Sequence, residues 1–174
     1  MSLYDITYKD TIIFKLPITN GKVIKVYDGD TITIATKLPY ATGMSNQERP
    51  HELWRRFFGY MNPFRTLCAP RSQENSPFYR FSVRLRGIDC PELRTKNENE
   101  KHCAILAKDM IHNHIYHKIV TLENVAYDKY GRVLADVFLD GTNITDVLID
   151  KRLAVVYDGG TKHCPDDWLA YYKG

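Results

Sequence analysis

The chain has 174 residues, 44% of them hydrophobic, which suits one folded domain with a core of ordinary size. No apolar run approaches the roughly 18 residues of a membrane-spanning helix, and residues 1–15 lack the apolar core of a signal peptide. These features argue against a membrane-embedded protein and predict an intracellular one.

The four cysteines are predicted to be free thiols, as is usual in a reducing compartment. They are Cys68, Cys90, Cys103 and Cys164. An alternative is a zinc site formed by the pairs His102/Cys103 and His163/Cys164, although no C-x2-C pair supports it.

The net charge of +3 does not by itself indicate a nucleic-acid partner, but its distribution is uneven. Residues 37–79 contain six of the 24 Lys and Arg residues and three of the 21 Asp and Glu residues, so the rest of the chain is balanced. All of the excess positive charge therefore lies in one segment.

Strand patterns and turn signals alternate along most of the chain. The predicted strands cover residues 11–17, 22–27, 30–36, 79–88, 119–125, 133–139 and 153–157. The predicted helices cover residues 100–117 and 145–152, with one last helical turn around residues 166–171. His114 and His117 share a face at the end of the first helix, where they could bind a metal or interact with the helix dipole.

Residues 37–79 interrupt this pattern with seven Pro and Gly residues, and within them residues 50–58 predict a short helix. Two interpretations compete for this segment. It is an insertion that contacts nucleic acid or a protein partner through basic and aromatic residues, or its aromatic residues pack back onto the body.

The order of elements is β-β-insertion-β-α-β-β-α. It predicts an α+β fold with a small five-stranded β-barrel of the OB type and two to three helices. We expect one domain over residues 1–174, a large insertion at 37–79 in the hairpin between the second and third strands, and a monomer.

The most informative stretch runs from Arg84 to Glu92. Its strand pattern ends at Gly87, so Asp89 and Glu92 lie close together in a turn near Arg84. Neighbouring carboxylates raise each other's pKa unless a cation compensates them. The stretch therefore predicts either a bound metal or phosphate, or a solvated turn with a surface ion pair.

Two further turns offer similar groups. Asp30 follows the Asp28-Gly29 turn, and Arg132 follows the turn at residues 128–131. In a barrel these strand ends can meet on one face. Carboxylates and a backbone carbonyl suit Ca²⁺, and arginines bind phosphate through paired hydrogen bonds. Glu92 could then deprotonate water for attack on phosphorus.

Four segments in order resemble the staphylococcal nuclease-like (thermonuclease) family. They are VIKVYDGDT (23–31), FSVRLRGIDCPE (81–92), DKYGR (128–132) and DGTNITDVLIDKRLA (140–154). The resemblance implies a five-stranded barrel and a Ca²⁺-dependent hydrolase that cuts DNA and RNA and leaves 3'-phosphate ends.

The resemblance also implies a role for each matching residue. The metal ligands would be the carboxylates of Asp30 and Asp89 and the backbone carbonyl of Cys90. Asp28 would lie next to these ligands without binding the metal itself. The catalytic residues would be Glu92 as general base and Arg84 and Arg132 as phosphate-binding groups. Lys129 and Tyr130 would contact the substrate.

This sequence departs from the family pattern at two residues. Cys90 stands where the family often has Thr, so a hydroxyl is lost, and Arg152 stands where it often has Gly. The insertion at 37–79 could extend the substrate groove or block it. The alternative to a nuclease is therefore a barrel that binds nucleic acid without cutting it.

Overall fold

The computed structural model describes residues 3–12, 14–38, 77–160 and 164–174. The chain divides into two compact units, one comprising Met1–Thr36 with Arg80–Gly174 and the other Lys37–Tyr79. Apart from Tyr79, the residues discussed below belong to the first unit. The helix predicted at residues 50–58 and the two interpretations of the insertion lie outside the described residues.

Regular elements cover most of the first unit. The strands are β1 (Asn20–Val26), β2 (Thr31–Thr36), β3 (Tyr79–Leu85), β4 (Ile88–Asp89), β5 (Ile119–Tyr127), β6 (Val133–Leu139), β7 (Thr142–Asn143) and β8 (Val155–Val156). The α-helices are α1 (Glu98–Ile115), α2 (Ile144–Asp150) and α3 (Trp168–Lys173). Short 3-10 helices lie at Leu3–Asp5 and Tyr8–Asp10.

Five of these strands form a closed barrel. They are hydrogen-bonded in the order β3-β2-β1-β5-β6, and a parallel pairing of β3 with β6, which aligns Val83 with Val133, closes the ring. The predicted α+β fold, a five-stranded barrel of the OB type with helices, is confirmed, and the described residues contain three α-helices.

Period-two alternation fills the barrel with branched aliphatic side chains. Along β6, Val133, Ala135, Val137 and Leu139 are buried while the residues between them are partly exposed. Helix α1 packs its buried face, from Cys103 to Ile115, on this body. Asn97 caps α1, because its side chain accepts hydrogen bonds from the backbone N–H groups of Asn99 and Glu100.

Two strand predictions were wrong in part. The described residues of 11–17 form no strand, because β1 already pairs with β2 and β5 and a closed barrel leaves no edge for another strand. The strand predicted at 79–88 ends at Leu85, because Gly87 adopts a φ of 81° and redirects the chain. Ile88 and Asp89 then pair with β8 instead.

Among the described residues, no helix combines the length and the apolar character that crossing a membrane requires.

Candidate active-site cleft

A cleft of about 930 Å³ opens on the barrel surface where the ends of several strands meet. Every side chain predicted for the site lines it: Asp28, Asp30, Arg84, Asp89, Cys90, Glu92, Lys129, Tyr130 and Arg132. The fold thus brings these strand ends together on one face. The cleft has the size of a ligand-binding site.

Arg84 joins the two predicted metal-binding carboxylates. Its Nη1 lies 2.7 Å from Oδ2 of Asp30, and its Nη2 lies 3.1 Å from Oδ1 of Asp89. The same Nη2 also donates to the Ile88 carbonyl at 3.3 Å. Both acids are buried, so this cluster is not the solvated surface pair that the sequence left open.

The strand register brings these three side chains together. Alternation on β3 sends Val83 and Leu85 into the barrel and leaves Arg84 on the other face. The Leu85 N–H donates to the Asp30 carbonyl at 2.8 Å, which fixes the start of β2 against the end of β3. Asp89 is fixed by the pairing of β4 with β8, where it faces Val155.

Each acid also accepts a second hydrogen bond. Thr31 Oγ1 donates to Asp30 Oδ1 at 2.8 Å, and Cys164 Sγ lies 3.7 Å from Asp89 Oδ2. The carboxylate oxygens are therefore oriented within the described structure, and neither acid is free to rotate without losing a partner.

Asp28 lies beside this cluster, in the turn between β1 and β2. Burial, together with the negative charge of Asp30, raises its pKa from 3.8 to about 6. Its Oδ1 accepts a hydrogen bond of 3.3 Å from the Asp30 N–H. The charged form of Asp28 is therefore costly in the folded protein, chiefly because the carboxyl is removed from water beside Asp30.

Gly29 allows this turn to pack tightly. A Cβ atom at Gly29 would lie 2.9 Å from both the Ala107 Cβ and the Cys90 Sγ. The turn therefore packs directly on α1, and any larger residue would displace the acids on either side. Burial, and then the nearby acids, raise the pKa of the Cys90 thiol, so this side chain packs as a small apolar group.

Arg132 is held by Asp128, a residue that the sequence analysis did not assign to the site. Its Nε lies 2.6 Å from Asp128 Oδ2, while Asp128 Oδ1 accepts the N–H groups of Tyr130 and Arg132, each at 2.8 Å. Partial burial would raise the pKa of Asp128, but the hydrogen bonds from Arg132 and Tyr130 outweigh it and lower the pKa.

Tyr130 covers this loop with its exposed ring. Lys129 Nζ lies 5.2 Å and the Arg132 guanidinium 5.7 Å from the ring centroid, both within cation–π range.

An Asp in a turn whose side chain caps the following backbone N–H groups is a recognisable sequence signal, so Asp128 could have been found from the segment DKYGR.

Glu92 is exposed on the loop between β4 and α1. Its backbone N–H donates to Glu100 Oε1 at 3.1 Å, which ties the loop to the first turn of α1. Glu100 is a second residue that the sequence analysis did not assign. The sequence indicates this contact only weakly, because Glu92 and Glu100 are eight residues apart and their contact depends on where α1 begins.

The alternative metal sites receive no support from the described residues. Among them no cluster of three or more His, Cys, Asp or Glu side chains is placed to hold a metal, and this includes the region of His114 and His117. Cys90, Cys103 and Cys164 are free thiols, whereas Cys68 and His163 lie outside the described ranges. The predicted calcium site would use two carboxylates and a backbone carbonyl.

Residues 82–170 match the model of the family described as staphylococcal nuclease homologue. The chain therefore belongs to the staphylococcal nuclease-like family, as the four segments predicted.

Three relatives resemble the chain over different lengths. A probable endonuclease of Schizosaccharomyces pombe is 37% identical over 98 residues, which are 52% of this chain and 43% of that protein. An uncharacterized 38.1 kDa protein of Capnoides sempervirens is 27% identical over 162 residues, 83% of this chain and 46% of that protein. A staphylococcal-like nuclease of Arabidopsis thaliana is 33% identical over 82 residues, 45% of this chain and 24% of that protein. The chain thus spans less than half the length of each of these relatives.

Proposed function

We propose that this protein is a Ca²⁺-dependent phosphodiesterase that hydrolyses DNA and RNA and leaves 3'-phosphate ends. The observation that carries the proposal is the buried cluster in which Arg84 joins Asp30 and Asp89 at the floor of the cleft. Membership of the staphylococcal nuclease-like family and the endonuclease and nuclease names of two relatives support the nuclease part of this proposal.

The residues at the cleft floor fit a calcium ion. Asp30, Asp89 and the Cys90 carbonyl would supply hard oxygen ligands, which Ca²⁺ prefers. The charges of the cleft floor support the fit, because the two carboxylates of Asp30 and Asp89 face the single guanidinium of Arg84. The chemistry that Ca²⁺ supplies when bound is Lewis-acid stabilisation of charge on a phosphate oxygen.

The protein's own side chains then perform hydrolysis. Glu92 takes a proton from the attacking water, whose oxygen forms a new bond to phosphorus while the bond from phosphorus to the 5' oxygen breaks. The phosphate remains on the 3' oxygen, and the released 5' oxygen takes up a proton. This direction of cleavage accounts for 3'-phosphate ends.

Two arginines stabilise the charge that develops on phosphorus. Arg84 is oriented by Asp30 and Asp89, and Arg132 is oriented by Asp128, so each guanidinium is already positioned on the cleft wall. Such preorganised charge is usually a larger catalytic effect than proton transfer. Lys129 and Tyr130 would contact the substrate next to Arg132.

We propose the same organisation for the whole chain as the sequence predicts. Residues 1–174 form one nuclease-like domain that acts as a monomer inside the cell, and residues 37–79 are an insertion that contacts nucleic acid or a protein.

The test uses end-labelled single-stranded DNA and RNA with Ca²⁺ in the millimolar range of weak exposed sites, or with EDTA. We expect cleavage with Ca²⁺ only, and products whose 3' ends accept a polymerase extension only after phosphatase treatment. Glu92→Gln should lose cleavage by orders of magnitude, while Glu98→Gln, at the exposed start of α1, should retain it.

Three results would contradict this account. Products that carry 5'-phosphate would reverse the direction of cleavage, and wild-type turnover in Glu92→Gln would exclude Glu92 as the base. A folded protein that binds DNA in EDTA and does not cut it with Ca²⁺ would support the non-catalytic barrel instead.

A further inference from the structure

A second cavity, of about 290 Å³, lies beside the active-site cleft. Tyr27, Asp28, Glu92 and Arg94 line both cavities, so the two share a wall. The second cavity extends from that wall to Lys25 and Lys108. A linear polymer bound in the cleft can therefore extend past Glu92 into this cavity.

Three cations from three separate elements line the second cavity. Lys25 lies on β1, Arg94 on the loop before α1, and Lys108 on α1 itself. Within the described ranges, none of them forms an ion pair with a carboxylate. The carboxylates of Asp28 and Glu92 line the same cavity, so its cations outnumber its acids by one, three against two. This excess positive charge is available to an anion from outside the protein.

An aromatic ring accompanies these cations. Tyr27 is exposed, and Lys25 Nζ lies 5.8 Å from the centroid of its ring. Cationic groups that follow a backbone, next to aromatic faces on which bases stack, are the usual means of binding single-stranded nucleic acid.

The packing around Gly29 explains why these groups converge. Gly29 contacts α1 at Ala107, the residue before Lys108, so the turn that carries Tyr27 and Asp28 is fixed next to Lys108. The hydrogen bond from the Glu92 N–H to Glu100 fixes the loop that carries Glu92 and Arg94. The cavity is therefore a built part of the fold.

We propose that this cavity binds a backbone phosphate of a single-stranded nucleic acid next to the bond that is cut. The inference rests on the proposed function and extends it. Lys25, Arg94 and Lys108 hold the flanking phosphate while Arg84 and Arg132 hold the scissile one, so the protein favours strands over dinucleotides.

The test compares the variant Lys25→Gln/Lys108→Gln with the control Lys118→Gln/Lys151→Gln, which removes the same charge from exposed residues that line neither cavity. Binding of a labelled single-stranded 12-mer is measured in EDTA by fluorescence anisotropy. We expect the variant to bind about tenfold more weakly than the control. The slope of the logarithm of the binding constant against the logarithm of the salt concentration should become shallower by about 0.7, because one phosphate contact is lost.

Cleavage supplies a second readout. With Ca²⁺, the ratio of kcat/KM for the 12-mer to kcat/KM for a dinucleotide should fall about tenfold in the variant relative to the control. An equal ratio and an equal affinity in the two proteins would overturn the inference, and a loss confined to duplex DNA would assign the cavity to duplex binding instead. If the wild-type protein cuts neither substrate, the proposed function fails, and the anisotropy measurement still decides the inference.

Discussion

Arg84 Nη1 lies 2.7 Å from Asp30 Oδ2, and both side chains are largely shielded from water. Burial alone would lower the pKa of Arg84, but Asp30 and then Asp89 outweigh it and raise the pKa. An exposed pair of this kind contributes little to stability, whereas removal of one partner from a buried cluster leaves uncompensated charge. Arg84 is therefore a structural as well as a proposed catalytic residue.

Replacement of Arg84 should show this double role. We expect Arg84→Gln to lose about 3 kcal/mol of unfolding free energy at pH 7, because Asp30 and Asp89 remain buried without their cation. Urea unfolding in EDTA measures the loss. Arg80→Gln, an exposed arginine on the same strand, should change stability by less than about 0.5 kcal/mol. Equal stabilities of the two variants would show that the cluster does not stabilise the fold.

The pKa of Asp28 predicts a dependence of stability on pH. Its value is 3.8 in the unfolded chain and about 6 in the folded protein, so between these pH values the folded state binds more protons. The unfolding free energy from this group therefore falls as the pH rises from about 4 to about 6.

Asp28→Asn should remove this effect. We expect the variant without metal to be more stable than the wild type at pH 7, and the difference to shrink as the pH falls towards 4. Urea titrations in EDTA across this range measure it, with the exposed Asp109→Asn as control. A difference between Asp28→Asn and the wild type that does not vary with pH would contradict the raised pKa.

Glu100 should act on the reaction through Glu92. Because its Oε1 accepts the Glu92 N–H, Glu100→Ala frees the loop, and we expect kcat to fall about tenfold with little change in KM. Glu100→Gln keeps an acceptor oxygen and should restore most of the activity. A KM effect alone, or no rescue by Gln, would mean that Glu100 does not position Glu92.

The barrel was predictable because its signals are local. Alternation along β6 and the turn at Asp28-Gly29 depend on side-chain period and turn chemistry, which a single sequence displays. The segments around Asp30 and Arg84 also made the family resemblance visible. The sequence did not distinguish a buried charge cluster from a solvated turn at Asp89, because that depends on the pairing of β3 with β2 and of β4 with β8.

Other features depended on contacts between distant residues. The strand expected at 11–17 has a suitable apolar pattern, and only closure of the barrel shows that no edge remains for it. Glu100 contacts the Glu92 loop through one hydrogen bond, and Lys108 lines the adjoining cavity because α1 packs against the turn at Gly29. Such contacts leave no periodic signal in a sequence.

The end of α2 provides a prediction about stability alone. Arg152 adopts a φ of 55°, and the N–H groups of Arg152 and Leu153 donate to the carbonyls of Ile149 and Leu148 in the manner of a Schellman motif. Arg152 therefore occupies a left-handed conformation, which glycine adopts at less cost. Arg152→Gly should stabilise the protein by about 1 kcal/mol.

The neighbouring residue supplies the control for this change. Lys151 has a φ of −84°, so Lys151→Gly gains nothing from glycine's freedom and should be destabilising. Thermal unfolding of both variants measures the contrast. A lower stability of Arg152→Gly than of the wild type would show that contacts of the Arg152 side chain outweigh the backbone strain.

The proposal with the widest consequence is that Asp30 and Asp89 bind the metal at the floor of the cleft. Its most direct test is the release of acid-soluble product from single-stranded DNA, with Ca²⁺ or with EDTA, by the wild type, Asp89→Asn and the exposed-acid control Asp109→Asn. We predict release that requires Ca²⁺, is lost in Asp89→Asn and is retained in Asp109→Asn. Release that persists in EDTA, or that Asp89→Asn leaves unchanged, would contradict the claim.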